Sequence, residues 1–190
     1  YIFIVGMPRS GSTLAENIIS MNETVKDLGE TSLLGKSVKE WNHLIVKNSR
    51  ASLNEIYYNK LFKNNEVALT NTNKQLYNYL YVGLIASQIP TAKIIHCTRN
   101  VLDNILSMYR ANFSEENNYC SSLEDCTNVY LNQDKVMRRY KELYPSKIYQ
   151  LNYEELVENP KKEIKSLISW LNWNWSDSYL NPHLNTRSIA

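Results

Sequence analysis

The sequence predicts an α/β fold in which a parallel sheet is flanked by helices on both faces. Four short apolar runs alternate with longer segments whose apolar residues recur at helical spacing. A loop with two glycines, residues 6–13, joins the first apolar run directly to the first helical segment. Strands that alternate with helices usually pair in parallel, and the helical crossovers then cover both faces of the sheet.

The predicted strands lie at residues 2–5, 67–70, 92–97 and 147–151. Helices are predicted at residues 14–21, over most of 31–62, and at 76–89, 101–109, 126–143 and 160–170. Residues 71–74 are predicted as a polar turn, residues 112–124 as a loop, and the chain beyond Trp173 as irregular. Pro90 favours a helix end just before it, and Pro160 suits the first turn of the last helix. Helical spacing places Leu80, Val101 and Val136 among the inward-facing residues.

The composition indicates a single domain over residues 1–190. A chain of this length can bury a substantial core, and its formal net charge of +2 implies no strong attraction to nucleic acid or to a membrane surface. No apolar run approaches the roughly 20 residues of a membrane-spanning helix. Because the chain starts inside a predicted strand, we expect it to be a fragment of a longer protein. We assign it to the cytoplasm, since its odd number of cysteines favours a reducing compartment.

The cysteines and histidines show no spacing that is typical of a zinc site. Cys97 ends an apolar strand and is predicted to be a buried thiol. Cys120 and Cys126 could close a small disulfide loop in an oxidising compartment, although an odd number of cysteines favours a reducing one. The three scattered histidines are interpreted as structural: His43, His96 and His183.

The loop at residues 6–13 has the spacing of a phosphate-binding loop, Gly-x-x-x-x-Gly-x-[Ser/Thr], between a strand and a helix. Unpaired N–H groups and the helix dipole favour an anion there. Ser12 occupies the position of the usual lysine, which argues against an ordinary nucleoside triphosphatase, and Arg9 supplies a cation instead. The alternative is a glycine turn that binds nothing.

Further polar residues follow the other predicted strands. In a parallel α/β sheet the ligand site lies beyond the carboxyl ends of the strands, which gathers residues 6–13, 71–75, 98–103 and 151–154 at one edge. Arg99 leaves the third strand, Ser107 lies on the following helix, and Lys74 follows the second strand. Two arginines, a lysine and several hydroxyls predict a site for more than one anionic group.

Three segments in this order resemble the sulfotransferases that use 3′-phosphoadenosine 5′-phosphosulfate (PAPS): GMPRSGST, IIHCTRNVLDNILSMY and LNYEELVENP. The resemblance implies the fold of the P-loop nucleoside triphosphatases and covers residue 2 to about residue 175. It places the 5′-phosphosulfate against Arg9, Ser10, Gly11, Ser12 and Thr13. It places Arg99 and Ser107 on the 3′-phosphate, and Tyr153 near the adenine.

A finer resemblance is to the tyrosylprotein sulfotransferases and to related bacterial enzymes that carry tetratricopeptide repeats. In that branch a Gly-Glu after the first helix supplies the proposed base, which corresponds to Glu30. A lysine after the second strand helps to stabilise the sulfuryl group, which corresponds to Lys74. The implied reaction moves a sulfuryl group from PAPS to an acceptor hydroxyl, of a protein tyrosine or a carbohydrate, without a metal, and releases 3′-phosphoadenosine 5′-phosphate (PAP).

The chain departs from the family pattern in two places. The second motif usually begins Arg-Asp-Pro but here runs Arg99-Asn100-Val101, so we expect the 3′-phosphate contact to be kept with a change in loop stiffness. The cationic C-terminal loop that closes over the cofactor in the family is not recognisable before Ala190. Two other functions stay open: a nucleotide kinase of the same loop type, and a non-catalytic nucleotide-binding or interaction domain.

Overall fold

The computed structural model describes residues 1–47, 50–64, 68–111, 113 and 115–185. Over these residues, five parallel strands form one sheet in the order β2-β3-β1-β4-β5. The strands are β1 (Ile2–Gly6), β2 (Val25–Lys26), β3 (Thr70–Asn73), β4 (Lys93–Thr98) and β5 (Ile148–Asn152). Because β1 lies between β3 and β4, the loop that follows β1 emerges between the ends of those two strands.

Helices cover both faces of this sheet, as predicted. They are α1 (Ser12–Ile19), α2 (Leu33–Val46), α3 (Leu53–Lys63), α4 (Val82–Gln88), α5 (Val101–Arg110), α6 (Leu123–Leu143), α7 (Tyr153–Glu158) and α8 (Pro160–Trp170). Side chains alternate along β1, so Phe3 and Val5 pack against α2, α3, α4 and α6, whereas Ile2 and Ile4 pack against α1, α7 and α8. None of the described helices is both long enough and apolar enough to cross a membrane.

The strand predicted at residues 67–70 was wrong in position. Val67 lies outside the described residues, and β3 instead runs through Asn71, Thr72 and Asn73, which we had predicted as a polar turn. These side chains are buried and hydrogen-bonded. The Asn73 Nδ2 donates to the Tyr57 hydroxyl (3.2 Å), and the Asn73 Oδ1 accepts from the Asn78 Nδ2 (3.0 Å). A polar strand is stable here because its side chains are hydrogen-bonded in the interior.

Several local predictions also differ from the structure. The long helical stretch at 31–62 divides into α2 and α3, and the helix at 76–89 begins as a 3₁₀ helix over Leu76–Tyr81. The predicted loop at 112–124 contains a 3₁₀ segment over Glu115–Ser121. Leu80, Val101 and Val136 are exposed, whereas Ile85, Ile105 and Met137, which the same helical spacing also places inward, are buried as predicted.

Candidate functional site

The loop after β1 is held in an unusual backbone conformation. Arg9 has a φ of 68° and Gly11 a φ of 89°, both in the left-handed region. A non-glycine residue there is uncommon and marks a locally constrained turn. Gly11 is the N-cap of α1 but offers no side-chain cap, so the first N–H groups of the helix are left for another acceptor. Ser10 is buried within the loop, and its Oγ has no hydrogen-bond partner among the described residues.

On the β4 side of this loop, Arg9, Arg99 and Ser107 come together as the sequence placed them. The Arg9 Nε donates to the Ser107 Oγ at 3.3 Å, although the two residues are 98 positions apart. The Arg99 Nη1 donates to the Arg9 carbonyl oxygen at 3.3 Å. The two arginines therefore contact one another across the end of the sheet, and α5 carries the serine between them.

These side chains border a cavity of about 380 Å³ whose lining also includes Arg110, a residue that the sequence analysis missed. Arg110 lies three residues after Ser107, so helical spacing places both on one face of α5. The cavity is lined by Arg9, Arg99, Asp103, Leu106, Ser107, Arg110 and Ala111. Three guanidinium groups against one carboxylate make this a site of positive charge.

A second missed residue, Asn104, fastens α5 to the loop. Its side chain is fully buried, and its Nδ2 donates to the Pro8 carbonyl oxygen at 2.8 Å. Asn104 thus fixes the backbone immediately before Arg9. The signal in the sequence is weak, because a single asparagine within a helix is usually exposed.

The departure at Asn100 has a local explanation. Asn100 is the N-cap of α5, and its Oδ1 accepts from the backbone N–H groups of Leu102 (3.0 Å) and Asp103 (3.2 Å). Its own N–H donates to the Glu154 Oε1 at 3.0 Å, which ties the start of α5 to α7. The capping asparagine therefore restricts the backbone of the turn after Arg99, as the proline of the usual motif would do.

On the β3 side of the loop, Lys74 and Glu30 form an ion pair. The Lys74 Nζ lies 3.2 Å from the Glu30 Oε1, and the Lys74 backbone N–H donates to the Gly29 carbonyl oxygen at 2.8 Å. Gly29 has a φ of 58°, a conformation that glycine adopts without strain, and it turns the chain so that Glu30 faces the end of β3. Lys74 is 3% exposed whereas Glu30 is 60% exposed.

A second carboxylate, that of Glu16 on α1, lies beneath this pair. Its Oε1 accepts from the Thr72 Oγ1 at 2.7 Å, and its Oε2 lies 3.9 Å from the Lys74 Nζ. Burial raises the pKa of Glu16, while the Thr72 hydrogen bond and the charge of Lys74 act in the opposite direction. The sequence analysis missed Glu16 because its partners are distant along the chain.

Tyr153 covers the loop from the β5 side. Its ring lies so close to Gly11 that a Cβ at that glycine would be 2.5 Å from the Tyr153 Cδ2. The Arg99 guanidinium lies 5.0 Å from the centroid of the same ring, within cation–π range. Tyr153 is therefore placed beside both the glycine loop and Arg99.

The three cysteines and His96 are buried within the fold. All three cysteines are free and buried thiols, and burial raises the pKa of Cys97 to about 12. Burial lowers the pKa of His96 to about 3, and its Nε2 lies 2.7 Å from the Gln133 Nε2. Among the described residues, no group of three or more His, Cys, Asp or Glu side chains could hold a metal ion.

A parallel sheet with a glycine loop after its first strand, and cations gathered beyond the strand ends, defines the P-loop type of nucleotide-binding fold. The comparison with known families is more specific. The Sulfotransferase family profile matches residues 2–177, and the chain belongs to that family.

Two relatives are similar to almost the whole of this chain. The chain is 29% identical over 208 residues to an uncharacterised protein of Aquifex aeolicus, a match that covers 99% of this chain but 27% of that protein. It is 28% identical over 197 residues to a putative protein-tyrosine sulfotransferase of Caenorhabditis briggsae, with 96% of this chain and 69% of that protein covered.

Two solved structures share the fold at low sequence identity. One is the sulfotransferase domain from the curacin biosynthetic pathway, with a TM-score of 0.70 at 19% identity, covering 100% of this chain and 79% of that one. The other is mouse sulfotransferase SULT7A1 complexed with PAP, with a TM-score of 0.60 at 16% identity, covering 94% of this chain and 61% of that one.

Proposed function

We propose that this chain is a sulfotransferase domain that moves a sulfuryl group from PAPS to an acceptor hydroxyl and releases PAP. The observation that carries the proposal is the arrangement of charge around the loop after β1. The loop emerges between the ends of β3 and β4. Lys74 and Glu30 pair on the β3 side, and Arg9, Arg99 and Ser107 meet on the β4 side. This arrangement suits a ligand with two separate anionic groups and a reacting end beside a carboxylate.

The residues present fit such a nucleotide. The Ser10 Oγ and the Arg99 Nε are buried and have no hydrogen-bond partner among the described residues. The Ser10 Oγ can donate to a bound anion, whereas the Arg99 guanidinium, whose Nε lies 3.9 Å from the Glu154 Oε1, would be shared between that carboxylate and the anion. Arg9 and residues 10–13 would hold the 5′-phosphosulfate at the start of α1. Arg99 and Ser107, with Arg110 in the same cavity, would hold the 3′-phosphate. Tyr153 would lie beside the adenine. The PAP bound to the structurally similar mouse enzyme supports this choice of nucleotide.

The chemistry assigned to the chain's own residues is proton removal and charge stabilisation. PAPS supplies the sulfuryl group. Glu30 takes the proton of the acceptor hydroxyl as the new S–O bond forms and the bond between sulfur and the phosphate oxygen breaks, with PAP leaving with that electron pair. Lys74, Arg9 and the N–H groups of the loop stabilise the negative charge on the transferring group and on the leaving phosphate. Such preorganised electrostatic stabilisation is usually the larger contribution to the rate.

The acceptor is a molecule with a hydroxyl group, and a tyrosine of a protein is the first acceptor to test. The name of the Caenorhabditis briggsae relative supports that choice. Glu30, being largely exposed, can be reached by a side chain presented from a polypeptide. A carbohydrate hydroxyl is the second acceptor class to test.

The test is transfer of ³⁵S from labelled PAPS to a tyrosine-containing acidic peptide, a simple phenol and an oligosaccharide. Glu30→Gln keeps the shape of the side chain and removes its basicity, so turnover should fall by roughly a hundredfold or more with PAP affinity nearly unchanged. Glu23→Gln is the matched control, because Glu23 is also exposed and, like Glu30, lies between α1 and α2 in the sequence. This variant should keep the turnover of the parent. Parent-like turnover in Glu30→Gln would place the base elsewhere.

A further inference from the structure

The Glu16 carboxylate connects three segments of the site from within the core. Glu16 lies on α1, one turn after Ser12, and its side chain is 0% exposed. Its Oε1 accepts from Thr72 on β3 at 2.7 Å, and the backbone of Gly29 lies close enough to the carboxylate to oppose the rise in its pKa. Its Oε2 has no hydrogen-bond partner among the described residues and faces the Lys74 ammonium at 3.9 Å.

A carboxylate buried without a counter-charge would be costly, and so would a buried ammonium. Glu16 and Lys74 are both removed from solvent, so each is the natural counter-charge of the other. Burial raises the pKa of Glu16 and nearby Asp27 adds to that effect, whereas Thr72, Lys74 and Gly29 oppose it. The only other carboxylate that the structure pairs with Lys74, within the described residues, is the exposed Glu30.

Lys74 therefore lies between a buried carboxylate and an exposed one. An ammonium on a flexible chain moves toward the carboxylate that attracts it most. If the Glu16 carboxylate were neutralised, the Lys74 ammonium would be attracted to Glu30 alone of these two carboxylates. A carboxylate held tightly by an ammonium accepts a proton less readily, because the cation favours its charged form.

We propose that Glu16 is a positioning residue, which anchors the Lys74 ammonium at the end of β3 from below and so leaves Glu30 free to accept the acceptor's proton. This inference rests on the proposed function, in which Glu30 is the base. Glu16 touches neither reactant in this account. It acts through Lys74, and its charge is the property that matters.

A purely structural role for Glu16 would give different results. A brace between α1 and β3 would depend on the hydrogen bond from Thr72 and would be needed whether or not Lys74 were present. A positioning role depends on the negative charge and disappears when Lys74 is removed. A double-mutant cycle separates the two, because residues that act through one another give non-additive effects.

The variants are Glu16→Gln, Lys74→Ala and the two combined. Glu16→Gln keeps the acceptor for Thr72 and removes the charge, so turnover should fall about tenfold to a hundredfold, by analogy with the outer residues that orient the ligands of metal sites. The KM for PAPS should change less than about threefold, because the nucleotide contacts are retained. In the Lys74→Ala background, Glu16→Gln should cost no further turnover. Glu16→Asp, which retains the charge on a shorter chain, should recover part of the activity.

Thr72→Val is the matched control, since it removes the hydrogen bond to Glu16 and leaves the charge. Its turnover should stay much closer to that of the parent than the turnover of Glu16→Gln does. Thermal melting of each variant identifies any that fail to fold, in which case Glu16→Asp and Thr72→Val still distinguish charge from bracing. Equal losses in Glu16→Gln and Thr72→Val, or multiplicative losses in the double variant, would overturn the proposal.

A measurement that needs no enzymatic activity keeps this proposal separate from the proposed function. Acetic anhydride labels only the neutral amine of a lysine, and peptide mass spectrometry reports the extent at Lys74. In Glu16→Gln the Lys74 amine should leave its 3% exposed position for the largely exposed Glu30, so it becomes more accessible and its labelling rate should rise several-fold at a fixed pH, whereas Lys60, paired with Glu40 on the surface, should keep its rate. If the parent transfers no sulfuryl group but this labelling rises, the proposed function fails and the anchoring stands. Unchanged labelling of Lys74 would overturn the anchoring.

Discussion

Replacing Gly11 by alanine tests whether nucleotide binding needs the left-handed backbone of the loop together with the Tyr153 ring that packs against it. Gly11 has a φ of 89°, and holding an alanine in the left-handed region costs roughly 1–2 kcal/mol. The new Cβ would also lie 2.5 Å from the Tyr153 Cδ2, so the ring must leave its place over the loop. We expect a loss of about 1–2 kcal/mol in the free energy of unfolding and at least tenfold weaker binding of PAP.

Gly35→Ala is the matched control for this substitution. Gly35 lies within α2, and a Cβ there would meet nothing within 4 Å. An alanine in an exposed helix is more stable than glycine by roughly 0.5–1 kcal/mol, so the control should unfold at a higher urea concentration than the parent.

Urea unfolding followed by circular dichroism measures both stabilities, and thermal shift with PAP measures binding. The two alanine variants should differ by about 1.5–3 kcal/mol in the free energy of unfolding, with opposite signs relative to the parent. A Gly11→Ala protein that is as stable as the parent and binds PAP equally well would refute the structural description of this loop.

Two further predictions concern the buried histidine and the lysine-free loop. Burial, with a smaller contribution from Lys141, lowers the pKa of His96 to about 3 in the folded state. The His96 of the unfolded chain takes up a proton below about pH 6.5, so the free energy of unfolding should fall as the pH falls from 6.5 toward 3. The expected decrease between pH 7 and pH 5 is about 2 kcal/mol. Urea unfolding at both pH values should show this dependence in the parent and a smaller one in His96→Gln, and equal dependence in both proteins would contradict the assignment. Ser12→Lys should crowd the buried start of α1 and weaken binding of PAPS without creating ATP hydrolysis, and EDTA should leave sulfuryl transfer by the parent unchanged. Chelator-sensitive transfer, or ATP hydrolysis by Ser12→Lys, would favour the kinase-like alternative.

Much of the edge around the glycine loop was predictable from the sequence, because several of its residues lie at fixed distances along the chain from strand ends. Arg9 lies inside the glycine loop, Arg99 follows the apolar run of β4, and Ser107 lies two turns into the next helix. A parallel sheet brings strand ends together, so placing Arg9 and Arg99 just beyond two strand ends was enough to predict that they lie at one edge. The 3.3 Å contact between the Arg9 Nε and the Ser107 Oγ goes beyond that rule, because Ser107 lies within α5 rather than at a strand end.

The polar interior could not be predicted in the same way. Apolar periodicity identifies strands by their buried hydrophobic residues, and β3 carries Asn, Thr and Asn at buried positions. What stabilises this strand is a set of partners far along the chain, such as Tyr57 for Asn73. Glu16 was missed for the same reason, since its partner Thr72 is 56 residues away and a glutamate in a helix is usually exposed.

The exposed apolar residues show a second limit of helical spacing. Val101 and Ile105 both fit one stripe of α5, yet Ile105 is buried and Val101 is exposed, because the helix meets the core only beyond its first turn. Periodicity gives the stripe, and the position of the helix on the sheet decides how much of that stripe is covered.

Isothermal titration calorimetry with PAP, adenosine 5′-phosphate and ATP with magnesium tests the central claim most directly, because it needs no knowledge of the acceptor. If Arg99 and Ser107 hold a 3′-phosphate, PAP should bind at least tenfold more tightly than adenosine 5′-phosphate. Arg99→Ala should remove most of that difference, on the order of 1.5–3 kcal/mol for a charged hydrogen bond, by weakening the binding of PAP far more than the binding of adenosine 5′-phosphate. Equal affinities of the parent for PAP and adenosine 5′-phosphate, or tighter binding of ATP with magnesium than of PAP, would contradict the account.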